Sequence, residues 1–346
     1  MPSTLPTVAV TLGDPSGIGA ELIAKLLSQP DVTSKANIVL IGDNWLWEQG
    51  QRIANTNIDV KEISSLSAAR QHTGSGDILY VPVDSVNSDE VEMGVANATG
   101  GRSVLTVLDL CLDAVVANHI DAICFAPLNK QAMIRSGMPF EDELHYFADK
   151  LNVDSFFCEF NTLGTLWTSR ISSHIPLKNV VSLLSEERII EASKLIYQAL
   201  KSADFDAPRV AVAALNPHGG DGGVCGREEI EIIEPAVKKL NEMGYPILGP
   251  FPADTIFLKA RDGEVDAIVT MYHDQGQIAI KLMGFEKGVT VQGGLPVPIT
   301  TPAHGTAYDI AGKNQANVSA TIQAFNIACR MGINYRKQAQ KQETFQ

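Results

Sequence analysis

Three of the seven histidines directly follow short apolar runs. His174 closes TLWTSRISSH, His218 closes RVAVAALNPH, and His273 follows DAIVTMY in the stretch MYHDQG. Neutral imidazole is the commonest side-chain ligand for zinc, cobalt, nickel and related divalent ions, and three such ligands leave positions open for a substrate. One histidine in such a place is more often a satisfied loop residue. Three in equivalent places favour a shared cation. Asp274 beside His273 and Asn216 before His218 read as helix N-caps, a role compatible with orienting a neighbouring imidazole.

Two glycine-rich stretches lie between a strand pattern and a helix pattern. LNPHGGDGGVCGREE carries Gly219, Gly220, Gly222 and Gly223, which permit close approach of a ligand to backbone, or a plain surface loop. TLGDPSGIGAEL spaces Gly13, Gly17 and Gly19 differently from G-x-G-x-x-G, so it fails as a dinucleotide fingerprint. A stronger cofactor candidate is TTPAHGTAYDIAGKNQANVSA, with His304, Gly305, Asp309, Gly312 and Asn317 ahead of a helix expected from about Ala316. A carboxylate such as Asp309 suits a ribose hydroxyl and favours NAD over NADP. Spacing alone leaves this segment a loop.

The elements that must position these groups alternate. TVAVTL leads to GAELIAKLL, SVLTVLDLCLDAVVAN to DAICFAP, RVAVAAL to REEIEIIEPAVKKLNEMG, and DAIVTMY to QIAIKLM. This pattern predicts β-α units around a mostly parallel sheet covered on both faces, with ligands beyond the carboxyl ends of the strands. No Pro- or Ser-rich linker divides the chain, so two domains would be built from interleaved segments. The polar end, YRKQAQKQETFQ, is expected to fray.

Composition narrows the partners. The 346 residues carry 27 Lys plus Arg against 40 Asp plus Glu, a net charge of −13 with no basic cluster, which argues against nucleic acid. The first residues lack a charged n-region, and no apolar run approaches a bilayer span of about 20 residues. No membrane partner is expected. Five scattered cysteines without C-x-x-C spacing suit a reducing cytoplasm and argue against a thiolate metal site.

HGTAYDIAGKNQAN is similar to the NAD-binding loop of the isocitrate and isopropylmalate dehydrogenase fold. With it, TLGDPSGIGAE, LNPHGGDGG, PADT and MYHDQG resemble the 4-hydroxythreonine-4-phosphate dehydrogenase (PdxA) family, over residues 7 to 332. The resemblance implies an α/β fold of two α/β/α domains with a cleft between them, here 1–135 plus 301–346 and 136–300. It implies a cytoplasmic homodimer whose NAD sits by His304, Gly305, Asp309 and Asn317. It also implies one divalent ion (Zn, Co, Ni, Mn or Mg) on His174, His218 and His273, with one ligand from the partner subunit and His273 the residue expected across the interface. The family oxidises a secondary alcohol beta to a carboxylate, and the β-keto acid can lose CO2. A cation on the alcohol oxygen lowers its pKa and later polarises the carbonyl. Lys281 matches a substrate-binding lysine, and Lys130 and Asp254 match positions near the site. Those two also read as a surface lysine and a helix N-cap.

The departures concern substrate. After Pro-Phe the biosynthetic enzymes have Gly-His-Thr, whereas PFEDELHYF puts Glu143 and Leu144 at the His and Thr positions. His145 compensates only through a register shift. A family Asn becomes Thr290, and a substrate-binding Arg becomes Ile299. A glutamate near a phosphate dianion costs roughly 1 to 4 kcal/mol for each pair of unit charges at about 4 Å. The expected substrate is therefore a nonphosphorylated small hydroxy acid or diol carboxylate, the latter as in cis-dihydrodiol carboxylate oxidation. The alternatives are genuine 4-hydroxythreonine-4-phosphate oxidation and, from another class, noncatalytic metabolite binding.

Overall fold

Every residue of β1 (Thr7–Thr11) and β2 (Asn37–Asp43) is buried, as continuous apolar runs require when helices cover both faces of a sheet. The structure is a computed structural model that describes residues 5–344, apart from the side chains at 285 and 342–344. Its contacts divide the chain into two units, Met1–Asp154 with Leu295–Gln346, and Ser155–Gly294.

The first unit continues with β3 (Lys61–Glu62), β4 (Leu79–Val83) and β5 (Ala122–Phe125), joined in the order β3-β4-β2-β1-β5 by parallel pairs. Helices α1 (Gly19–Leu27) and α2 (Asn44–Ala54) pack on each other. Each of the next three helices begins at a side-chain cap that satisfies an otherwise orphaned N–H. Asn97 accepts from Gly100 before α3 (Ala98–Val116), Asn129 from Ala132 before α4 (Lys130–Arg135), and Asp142 from His145 before α5 (Glu143–Lys150).

The second unit holds β6 (Cys158–Leu163), β7 (Leu166–Arg170), α6 (Val180–Leu183), α7 (Glu186–Ser202), β8 (Val210–Ala213) and α8 (Glu234–Glu242). It ends with β9 (Ile247–Phe251), α9 (Ile256–Arg261), β10 (Ala267–Thr270), α10 (His273–Gly284) and β11 (Gly288–Gly293). Parallel pairs join β7-β10-β8-β9, while β6 runs antiparallel to both β7 and β11. The chain then returns to the first unit through β12 (Ile299–Pro302), parallel to β5, and α11 (Ser319–Thr344), which packs across β1, β5 and β12.

Three expectations change. The antiparallel β6-β7 hairpin was not foreseen, although NTLGTLW carries its signal: Gly164 adopts φ 60°, the conformation a two-residue hairpin turn demands. Residues 136–154 belong with the first unit because α5 buries Tyr146 and Phe147 in its core, Phe147 lying edge-on to Phe125 at 5.8 Å. The polar end does not fray as far as it is described, since α11 runs to Thr344. Residues 345–346 of that stretch, and the first four of the amino-terminal stretch, lie outside the described residues. Among the described residues no helix is long and apolar enough to cross a membrane.

A close helix contact sets the position of Lys130, the first residue of α4. A Cβ on Gly101 of α3 would fall 2.1 Å from the Ala132 carbonyl oxygen of α4. Gly101→Ala is therefore expected to lower the unfolding free energy by about 1 to 3 kcal/mol in urea titrations.

Candidate functional site

In the second unit β10 lies between β7 and β8, and all three run parallel, so their carboxyl ends fall on one edge. His174 follows β7, His218 follows β8, and His273 opens α10 after β10. The rings of His174 and His273 stand 6.1 Å apart at 43° and line one pocket of about 260 Å³ with Ser172, Ser173, Leu177 and Tyr272. Two imidazoles on one tetrahedral ion, with metal–nitrogen bonds of about 2.1 Å, hold their ring centres roughly 5 Å apart. The observed separation is roughly 1 Å longer than that. His273 Nδ1 lies 2.7 Å from Asp274 Oδ1; a carboxylate there favours the tautomer protonated on Nδ1, which leaves the Nε2 lone pair able to take a metal ion. Asp274 is thus the partner of His273 rather than a helix cap. His218 is exposed and does not line this pocket.

Side chains hold these turns where the ladders stop. Ser172 Oγ donates to the Met271 carbonyl at 2.7 Å, joining the His174 turn to the end of β10. Gln275 accepts from the Met271 N–H at 2.8 Å and donates to the Ala214 carbonyl at 2.9 Å, joining β10 to β8. Glu229, 1% exposed, accepts from the N–H groups of Leu215 and Asn216 at 2.9 and 2.7 Å. The Asn216 amide is taken by Glu228 and Glu229, so it caps no helix. His174 and His218 sit in the left-handed region at φ 46° and 54°. Each such residue stores of the order of 1 to 3 kcal/mol, held by the surrounding bonds.

Of the other second-unit candidates, Lys281 is exposed on the last turn of α10 and Asp254 is exposed ahead of α9. Thr290 is buried in β11, its hydroxyl accepting from Asn161 at 3.3 Å. Asn161 also takes a guanidinium N–H of Arg170 at 2.8 Å and the amide of Gln277. Arg170, 5% exposed, reaches Glu159 at 2.9 Å. Thr290 therefore belongs to an internal polar network and offers no open contact to a substrate.

In the first unit Lys130 Nζ lies 3.3 Å from the carboxylate of buried Glu143. Leu144 is 3% exposed, and Ile299 is fully buried in β12 beside Ile123. Leu144 and Ile299 are core residues whose side chains are closed to solvent. His145 is held at Nδ1 by Asp142 at 2.7 Å. Burial pushes the Asp142 carboxyl up, but the His145 N–H and ring outweigh it and hold it low.

The proposed cofactor loop is tied to the β1–α1 turn. Ile18 N–H donates to Thr306 O at 3.1 Å, and the Tyr308 hydroxyl to Asp14 at 2.8 Å. Glu21, 1% exposed, accepts from Ala316 N–H at 2.8 Å and from Lys25 at 2.7 Å. Ile18, Leu22, Ala311 and Ala316 form a small apolar core beneath. His304 bonds Gly305 O through Nδ1 at 3.1 Å, while its buried Nε2 and the buried Ser16 Oγ have no hydrogen-bond partner among the described residues. Burial lowers the His304 pKa. Such orphaned polar atoms suit the polar groups of a bound nucleotide. Gly305 and Asp309 are exposed, whereas Asn317 accepts from Ser319 N–H at 2.9 Å just ahead of α11, which begins at Ser319, three residues after Ala316. Asp14, Ser172, Glu229, Gln275 and Tyr308 were not among the sequence candidates. Each lies within two residues of a singled-out motif or in the acidic turn after one, which is the signal that could have found them.

The family profile described as pyridoxal phosphate biosynthetic protein PdxA matches residues 34–328. A Pseudomonas aeruginosa protein named "Putative 4-hydroxythreonine-4-phosphate dehydrogenase 2" is 52% identical over 95% of this chain and 98% of its own. A Clostridium botulinum protein named "Putative D-threonate 4-phosphate dehydrogenase" is 28% identical over 96% and 98%. Among solved structures, the 4-hydroxythreonine-4-phosphate dehydrogenase of Klebsiella pneumoniae superposes with a TM-score of 0.82 at 28% identity, covering 96% of this chain and 99% of that one.

The Tyr308–Asp14 contact has a measurable pH signature. Burial raises the Asp14 pKa against the opposing bonds from Ser16 and Tyr308. Tyr308→Phe removes a donor to the carboxylate and is expected to cost about 1.5 to 3 kcal/mol at neutral pH. Losing that donor raises the Asp14 pKa further, so the cost is full above the variant's raised pKa, shrinks as pH falls from there to the wild-type pKa, and is smallest below both. Denaturant titrations of both proteins from neutral to acid pH check the sign.

Proposed function

The chain belongs to the PdxA family and is an oxidoreductase acting on CH–OH groups, and from that premise we propose that it oxidises the secondary alcohol of a small phosphorylated hydroxy acid. NAD is the acceptor, and a divalent cation is held by His174, His218 and His273. The observation that carries this reading is the His174–His273 pair on one pocket wall at the carboxyl edge of parallel strands. A cation there would hold the alcohol oxygen, lower its pKa and polarise the carbonyl that replaces it, and NAD would take the hydride. Asp274 orients His273, and the Ser172 and Gln275 contacts keep the histidine turns together. Lys281 supplies an exposed positive charge for a carboxylate or phosphate. His304, Gly305 and Asp309 are the cofactor contacts, Asp309 taking the ribose. A β-keto acid produced there would be prone to lose CO2.

The relatives' names support a phosphorylated acid: 4-hydroxythreonine 4-phosphate in one case and D-threonate 4-phosphate in another. A second reading, a nonphosphorylated hydroxy acid or diol carboxylate, is favoured by the residues at the expected phosphate positions. Leu144 and Ile299 are core hydrocarbons, and Glu143 brings a negative charge to Lys130. Steady-state assays following NADH formation separate the two. D-threonate 4-phosphate is expected to exceed its dephosphorylated form in kcat/KM at least tenfold; the reverse order selects the second reading.

The working form is a homodimer. Leu177, Ile278 and Leu282 of the second unit are 68%, 59% and 85% exposed, apolar surface suited to a partner. His218, apart from the pocket lined by the other two histidines, is the ligand supplied across the interface. In this reading His218 crosses the interface in place of His273, which lines a pocket with His174. His218→Ala and His273→Ala are each expected to remove metal-supported turnover while the fold persists. Mixed dimers of the two variants should regain activity at one of their two sites, and an absence of rescue would place both ligands in one subunit.

A further inference from the structure

We propose that Gln275 and Ser172 are positioning residues that set the metal affinity of the histidine constellation by gripping the peptide groups at Met271. The inference rests on the metal site proposed above and assigns the side chains that build it. Met271 is fully buried just past β10. Its N–H goes to Gln275 Oε1 at 2.8 Å and its carbonyl accepts Ser172 Oγ at 2.7 Å, so both of its polar backbone groups are bonded to side chains from the histidine turns. Ser172 lies two residues before His174. Gln275 lies two residues after His273, and its Nε2 donates to Ala214 O at 2.9 Å, four residues before His218. Two side chains thereby link all three histidine-bearing turns. The ladder between β8 and β10 ends at Val212–Val269, so beyond it the Gln275 amide continues the connection that the backbone no longer makes.

Metal–nitrogen distances tolerate only about 0.2 Å, so a histidine turn that shifts by more once a tie is cut would bind the ion more weakly. The consequence falls on affinity more than on folding. Gln275→Leu keeps the side-chain bulk and removes both bonds. Gln275→Glu keeps an acceptor for Met271 N–H and loses the donor to Ala214. Ser172→Ala removes the third tie.

The test is calorimetric binding of Mn²⁺, Co²⁺ and Zn²⁺ alone to the metal-free full-length protein, with thermal melts and the Co²⁺ absorption spectrum beside it. Wild type is expected to bind, and Gln275→Leu to lose roughly tenfold or more in affinity, the range found when a group orienting a ligand is removed. Because both side chains hold Met271, the double variant with Ser172→Ala should lose less than the product of the single losses. Wild-type affinity within about twofold in Gln275→Leu, even with a lowered melting temperature, overturns the inference and leaves the metal site standing. Failure of wild type to bind any of the three ions overturns the metal site and the inference together. If Gln275→Leu does not fold, Gln275→Glu decides: a loss of roughly threefold or more supports the assignment, and unchanged affinity overturns it.

Discussion

A buried parallel strand that stops leaves its last N–H and C=O groups with no ladder partner and no water, and each such group is costly to bury unpaired. That constraint shapes the second unit. At the ends of β7, β8 and β10 the missing partners are side chains: Ser172, Gln275 and the carboxylate of Glu229. Satisfying the backbone there necessarily fixes where the following residues go, and three of those are histidines. Chemistry and folding thus share the same bonds, and the strained backbone at His174 and His218 is held by neighbours that the strand ends already require.

The first unit solves a similar problem with a loop in place of strand ends. Residues 303–318 have little regular structure, and they are held by two buried carboxylates, Asp14 receiving Tyr308 and Glu21 receiving Ala316. A small apolar core lies beneath. Burial raises the Asp14 pKa, so the contact works against the cost of a buried charge. What this arrangement secures is a loop held in place to present polar groups while leaving some of them, such as His304 Nε2, without a hydrogen-bond partner among the described residues.

Much of this was legible in the chain. Alternating apolar and amphipathic segments gave the β-α units, and MYHDQG, LNPHGGDGG and HGTAYDIAGKNQAN marked the turns that matter. What was not legible had physical causes. Nothing in PFEDELHYF or PVPIT distinguishes a pocket wall from core packing, so Leu144 and Ile299 read as substrate contacts until burial placed them inside. The antiparallel β6 hid because its strand composition matches a parallel strand's, and only Gly164 betrays the hairpin. The sequence does not single out the roles of Gln275 and Ser172, since a side chain that replaces a backbone partner is visible only once the strand ends are known.

The turn that carries His218 has one more implication. From His218 to Gly223 the backbone takes six successive residues with positive φ, the first five in a short coil wound opposite to an ordinary protein helix. At Gly219 and Gly222 an added methyl group would meet empty space, so crowding does not exclude alanine there. Handedness does. A mirror-image alanine introduced by chemical synthesis would sit comfortably at either position, while its natural counterpart would tend to unwind the coil and swing the imidazole away.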